Sequence, residues 1–152
     1  MSARAASWLE HLGFTVYRYQ AGKADWFAAG LPREGREATV ARVADVANRD
    51  AQTCRLDQRV GDVVDRGVQD DGNPVIVLDV DRVVLGVVVP ERLTANPATP
   101  VEEVMDPAPV TFRPNVRAGE TPEYLTKQGV RHALVTTSDG VLIGLLRLQP
   151  AA

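Results

Sequence analysis

Cysteine and histidine, the side chains that most often hold metals or carry nucleophilic and proton-transfer chemistry, are almost missing from this chain of 152 residues. It has one cysteine, Cys54, and two histidines, His11 and His132. A single cysteine cannot close an internal disulfide, and two isolated histidines have no metal-ligand spacing, so no metal site is expected. Long hydrophobic runs are missing too. No apolar stretch approaches the roughly 20 residues of a membrane-spanning helix. The opening MSARAASWLEHLG places polar and charged residues where a signal peptide needs an apolar segment, which predicts a cytoplasmic protein with no membrane partner. Charge of one sign is not concentrated anywhere: 17 basic and 20 acidic residues give a net charge of −3. A phosphate-backbone binder needs its cations on one face, so nucleic acid is not an expected partner. A Ser-His-Asp set, a repeated carboxylate pair and a glycine-rich phosphate loop are also lacking, so no catalytic residues are assigned.

What is present is an ordinary globular composition, 45% hydrophobic and 24% charged, enough to bury a real core. It is organised as an internal repeat. An ungapped offset of 58 residues takes Val43, Val46, Thr53 and Arg55 to Val101, Val104, Thr111 and Arg113. The same offset takes Asp81 and Gly86 to Asp139 and Gly144, and aligns Ile76 and Val77 with Leu134 and Val135.

Each copy reads as a short helical turn (around Val43 to Ala47, or Val101 to Met105), an extended piece, a helix, and two strands joined by a tight turn. In copy one Asp57 is the expected N-cap of a helix carrying Val60, Val63, Val64 and Val68. In copy two Thr121-Pro122-Glu123 starts a helix and Gly129 stops it. The strands, Pro74 to Leu78 with Val83 to Val89 and His132 to Thr136 with Val141 to Leu146, are apolar throughout. That predicts sheets covered on both faces. Of the two turns, Thr137-Ser138-Asp139-Gly140 is the clearer, because Asp-Gly favours positive φ.

These two openings and two hairpins, PVIVLDVDRVVLGVVV and HALVTTSDGVLIGLL above all, resemble a tandem pair of cystathionine β-synthase (CBS) domains, a Bateman module. The resemblance covers roughly residues 40 to 150. It implies an α/β (α+β) fold of two βαββα-type repeats packed pseudo-symmetrically, repeat 1 over residues 40–97 and repeat 2 over 98–152. It also implies clefts for adenosine ligands such as AMP, ATP or S-adenosylmethionine. In the family, a closing motif of Gly, two apolar residues, Thr or Ser, two variable residues and Asp holds the phosphate or sugar edge and the ribose.

Here copy one reads Gly86-Val87-Val88-Val89-Pro90-Glu91-Arg92, with Val89 at the hydroxyl position and Arg92 at the carboxylate position. Copy two reads Gly144-Leu145-Leu146-Arg147, with Pro150 at the carboxylate position. Valine lacks the hydroxyl, and arginine donates hydrogen bonds but accepts none. Any nucleotide is therefore expected to bind weakly. The other cleft positions that the resemblance implies are Thr53, Val75 and Val77 in copy one, and Thr111, Arg131, His132 and Ala133 in copy two. Arg147, Arg92, Arg131 and His132 suit an acidic ligand as an alternative.

The first forty residues read as helix, strand, helix: Ala5 to Leu12 stopped by Gly13, an alternating Phe14 to Tyr19, then Lys23 to Ala29 ended by Gly30 and Pro32. The stretch AGKADWFAAGLP resembles the C-terminal end of a rhodanese-like domain. This gives a remnant over residues 1–33 and a linker over 34–39. The catalytic cysteine loop of a rhodanese is absent, and Cys54 lies in the first repeat. Trp8, Trp26 and Phe27 are expected to dock on the repeats or on a partner.

The leading expectation is a non-enzymatic regulatory or ligand-sensing CBS pair with degenerate nucleotide sites. A purely structural dimerisation or interaction module is the alternative, with a sulfurtransferase-related protein behind it. A homodimer is expected because Val60, Val63, Val64, Leu125 and Val130, extended by Val104 and Met105, look too many for one small core.

Overall fold

The structure is a computed structural model that describes residues 3–20, 22–68 and 72–148. Two three-stranded sheets dominate it, each ordered as its strands occur in the chain. In the first, β1 (Thr53–Arg55) runs parallel to β2 (Val75–Leu78), which pairs antiparallel with β3 (Val84–Val88). In the second, β4 (Thr111–Phe112), β5 (His132–Thr136) and β6 (Leu142–Arg147) repeat the arrangement. The likeness extends to detail. Both hairpins have an irregular register at the same repeat position, Val77/Leu78 and Val135/Thr136.

Period-two geometry explains the uninterrupted apolar runs. One face of the first sheet presents Val75, Val77 and Val88 to a cluster with Cys54, Val63 and Val101. The other face presents Ile76, Leu78 and Val87 to Leu134, Leu142 and Leu145 of the second sheet. The outer face of the second sheet, through Ala133, Val135 and Leu146, packs on Val43 and Leu125. With both faces covered, all of β2 and all of β5 after His132 are buried, and selection for alternation disappears.

The helices that cover these faces are exchanged between repeats. The short helix α3 (Val43–Val46) opens repeat 1, yet Val43 lies in the core of the second sheet. Helix α5 (Val101–Val104) opens repeat 2, yet Val101, with no exposed surface, fills the core of the first. Reciprocal backbone bonds fix the exchange. Val43 N–H donates to the Val116 carbonyl and Val101 N–H to that of Gln58, each at 2.9 Å. Asn48 and Leu145 exchange two such bonds, as do Asp106 and Val87.

The two glycines of the repeat are required by this crossing. A Cβ on Gly86 would lie 2.6 Å from the Asp106 carbonyl oxygen, and one on Gly144 would lie 2.7 Å from that of Asn48. Near the pseudo-twofold axis, where Val83 bridges Val141, Val84 N–H donates to the Gly140 carbonyl and Leu142 N–H to that of Arg82. Gly140 has φ of 84° and its mate Arg82 has φ of 65°, the one positive-φ residue other than glycine among those described.

Helix α4 (Val60–Asp65) starts at Arg59 rather than being capped by Asp57. Its first amides are taken elsewhere: the Asp62 carboxylate accepts from Arg59 N–H at 2.9 Å, and the Thr99 and Pro97 carbonyls accept from Val60 and Gly61. Helix α6 (Thr121–Gln128) ends at Gly129 in the left-handed region, as its sequence predicts. Val60, Val63 and Leu125, which the sequence suggests as surplus apolar surface, are buried inside the chain's own cores.

The N-terminal segment forms α1 (Ala3–His11) and α2 (Gly22–Ala28), but residues 14–19 are not a strand. No sheet edge pairs with them, and alternation alone does not satisfy backbone donors. Phe27 is held by the Arg33 and Arg42 guanidinium groups, 5.2 and 5.4 Å from its ring centre. The Glu37 carboxylate ties Arg42, at 2.7 Å, to Arg117. Hydrogen bonds from Arg42 and then Arg117 hold the Glu37 carboxyl below its usual range. Trp8 is not covered by the repeats and is 60% exposed.

The crossing makes a paired expectation. Gly86→Ala forces its Cβ into a backbone carbonyl and is expected to destabilise the fold by about 1–3 kcal/mol. Arg82→Gly, at a position whose mate is already glycine, is expected to be neutral or to stabilise by up to ~1 kcal/mol. Urea unfolding of the two variants checks both signs, and a neutral Gly86→Ala would show that the crossing yields.

Candidate ligand cleft between the repeats

The opening for a ligand lies where the strands of repeat 1 end and those of repeat 2 begin. Strand β3 leaves the core at Val89 and turns through Pro90 into a 3₁₀ turn over Pro90–Thr94. Opposite it, the β5 entry carries Arg131, His132 and Ala133. Ladder pairing sets Arg147, at the end of β6, beside His132. These segments, with the loop through Gly72 and Pro74 and the turn from Asp106 to Val110, enclose about 620 Å³. The space is within the range usual for small-molecule sites.

Of the ten cleft positions named from sequence, five meet here: Val89, Arg131, His132, Ala133 and Arg147. The Arg147 guanidinium stands against the loop, 3.6 Å from where a Gly72 Cβ would be. The other five lie elsewhere. Thr53 and Val75 border a smaller space of about 160 Å³ beside Arg66 and Val68. Val77 is buried in the first core, and Thr111 is exposed on β4. Arg92 turns away and donates to the Val104 carbonyl at 3.0 Å and the Met105 carbonyl at 3.4 Å, so its charge holds the end of α5. Pro150 lies outside the described residues.

Two acidic residues of the cleft, Glu91 and Asp106, are not evident from the family motif. Asp106 is the mate of Asn48, and both oxygens serve the same local turn: Asp106 Oδ1 accepts from Ala108 N–H at 3.0 Å, Asn48 Oδ1 from Asp50 N–H at 3.0 Å. Once the exchange is known, the repeat register finds it: Asp106 follows the helix that crosses Gly86. Glu91 sits one position before Arg92, so a carboxylate reaches the cleft just ahead of the expected place.

A second space, about 500 Å³, lies between α2 and the segment from Pro32 to Arg42, with Trp26 and Phe27 in its wall. Its two arginines are committed to structure: Arg33 to Asp45 at 3.0 Å, Arg42 to Glu37 and to the Asn115 carbonyl. Among the described residues no group of three or more His, Cys, Asp or Glu is placed to hold a metal, and no helix is long and apolar enough to cross a membrane.

Cys54 is buried in the first core, where desolvation pushes its thiol up to about 11. A thiol in that state is a poor nucleophile. At pH 8 the native chain is expected to give almost no reaction with Ellman's reagent, and one equivalent after unfolding. Rapid native labelling would mean that Cys54 is activated and open to solvent.

Comparison with known proteins agrees with this geometry. Residues 101–149 match the CBS domain family. None of the curated proteins matches the sequence. Among solved structures, the CBS domains of a transcriptional regulator from Streptococcus pneumoniae align with 17% identity and a TM-score of 0.63, covering 72% of this chain and 94% of that one. The CBS domain pair of protein MJ0100, in complex with 5-methylthioadenosine and S-adenosyl-L-methionine, aligns with 12% identity and a TM-score of 0.62, over 72% and 90%. CBSX2 in complex with AMP aligns with 22% identity and a TM-score of 0.61, over 70% and 89%. At these identities the likeness is one of fold. Residues 101–149 thus carry the sequence of a CBS domain, and the two exchanged repeats together have the fold of a CBS-domain pair.

Proposed function

We propose that this chain is a non-enzymatic regulatory module that senses a small ligand in the cleft between its repeats, and that it binds adenosine ligands only weakly. The composite cleft supports the first half: both repeats contribute to one partly apolar space of about 620 Å³. Solved CBS pairs holding AMP, or S-adenosyl-L-methionine with 5-methylthioadenosine, make AMP, ATP and S-adenosylmethionine the natural candidates. Val89 and Arg92 support the second half. No hydroxyl stands at the end of β3, and Arg92 is engaged with the Val104 carbonyl, so the ribose loses its expected acceptor. Charge-assisted hydrogen bonds are worth about 1.5–3 kcal/mol each, so losing them costs orders of magnitude in affinity.

The buried Cys54 favours a regulatory reading of the first repeat over sulfur transfer. The likeness of residues 1–33 to the end of a rhodanese-like domain then describes a structural segment, clamped through Phe27 and Glu37.

Calorimetry against AMP, ATP and S-adenosylmethionine tests the reading. AMP is expected to bind more weakly than about 10 µM, roughly −7 kcal/mol. The double variant Val89→Thr, Arg92→Asp is expected to tighten it. AMP binding tighter than about 10 µM by the unaltered chain would show that these substitutions do not weaken the site.

A symmetric homodimer is the second part of the proposal, and the observation that favours it is narrower than the sequence suggests. Val46 and Val64 remain 54% and 44% exposed on α3 and α4, whereas Val60 and Val63 are buried. Light scattering at micromolar concentration is expected to give twice the mass of one chain. A value near 16.5 kDa would leave the alternative of an unknown protein partner on that face.

A further inference from the structure

Residues 14–19 alternate like a strand and are held in place like one, but no strand lies beside them. They run between Gly13 and Gln20 without helix, turn or bend. Both ends are tied: Phe14 N–H donates to the Leu9 carbonyl at 3.0 Å, and the Tyr19 carbonyl accepts from Gly22 N–H at 3.4 Å. Period two sends neighbouring side chains to opposite faces, and a helix is fastened to each. Arg18 meets Glu10 of α1 at 3.4 Å, and the Tyr19 ring stands edge-on to Trp26 of α2 with 5.2 Å between centres. The backbone amides of residues 15–19 nevertheless donate to no acceptor among the described residues. The side chains along this edge are open as well, with Phe14 62% and Tyr17 88% exposed.

A row of unbonded amides flanked by exposed aromatic and β-branched residues is a template for another strand. Because the row is already positioned by α1 and α2, little ordering remains to be done on binding. Charge selects the occupant. Residues 1–33 hold four basic and two acidic side chains, whereas the remainder of the chain holds 13 and 18. The same segment of a second copy would bring an equal excess of positive charge to the edge, and like charges set across paired strands are unfavourable. We propose that residues 14–19 are an edge for β-strand addition, and that they take an extended segment of another protein in which acidic and apolar side chains alternate. The apolar residues cover Phe14 and Tyr17, and the acidic ones answer the basic excess of the N-terminal segment.

Hydrogen exchange of the full chain, with and without the hexapeptide Val-Glu-Val-Glu-Val-Glu at up to millimolar concentration, tests the edge. Residues 15–19 are expected to gain protection, and the acidic peptide is expected to bind at least about tenfold tighter than Val-Lys-Val-Lys-Val-Lys. Neighbouring amides of a strand point to opposite edges, so one of the variants Val16→Pro and Tyr17→Pro removes a donor from the pairing edge. That variant is expected to weaken binding at least about tenfold while exchange in the two sheets is unchanged. Absence of binding, or binding that protects only residues outside this segment, overturns strand addition. Equal binding of the two peptides overturns the acidic partner. A dimer in light scattering that dissociates in a proline variant makes a second copy the occupant and overturns the assignment to another protein.

Discussion

The fold depends on a crossing in which the chain after each short opening helix passes directly over a glycine in the last strand of the other repeat. At Gly86 and Gly144 there is no room for a Cβ, since a carbonyl oxygen already lies at 2.6 or 2.7 Å from its position. The paired amide bonds between Val87 and Asp106, and between Leu145 and Asn48, form because the backbones come that close. Everything else follows from the register they set. Val101 reaches the first core and Val43 the second, the inner faces of the sheets meet at Ile76 and Leu134, and Asp106 is brought to the mouth of the cleft.

Much of this was legible in the sequence because repetition and hydrophobic pattern are local signals. The offset that aligns Gly86 with Gly144 also aligns the strands, and uninterrupted Val, Ile and Leu correctly imply sheets buried on both faces. Exchange is not a local signal. Val43 and Val101 look the same whichever sheet they cover, so a boundary drawn between residues 97 and 98 cuts α5 from the core it completes. The same blindness explains the surplus of valines inferred from composition. Two outer cores and one shared core accommodate more apolar residues than one small core would, and Val63 and Leu125 find places within them. For residues 14–19 the error has the opposite sign: the pattern suits a strand, but a strand exists only with a partner.

The candidate site was half legible for related reasons. Reading along the closing motif finds Val89 and Arg147, since both follow directly from strand ends. It misses the destination of Arg92, because a long side chain is free to choose a carbonyl in another element, here at the end of α5. It also misses Glu91 and Asp106, which become cleft residues only through the 3₁₀ turn and the crossing. Side chains at strand ends can be placed from one repeat alone. Side chains contributed by the crossing need both.

The N-terminal segment shows the same division between local and distant causes. Its helices and their glycine stops follow from sequence, whereas its attachment depends on Arg42, which belongs to the start of α3. One guanidinium stacks on Phe27, bonds Glu37 and donates to the Asn115 carbonyl. Arg42 immediately precedes Val43, the residue that fills the second core, and it bridges Arg117 in the loop before α6. The segment is therefore fastened at the point where repeat 1 enters repeat 2. Glu37 carries that attachment across to Arg117, so the tie depends on a carboxylate that must be ionised. Because its folded-state proton affinity is lowered, the stabilisation is present above the ordinary carboxylate range and is lost as pH falls through the lowered value. Acid thus acts on the Glu37 tie between Arg42 and Arg117.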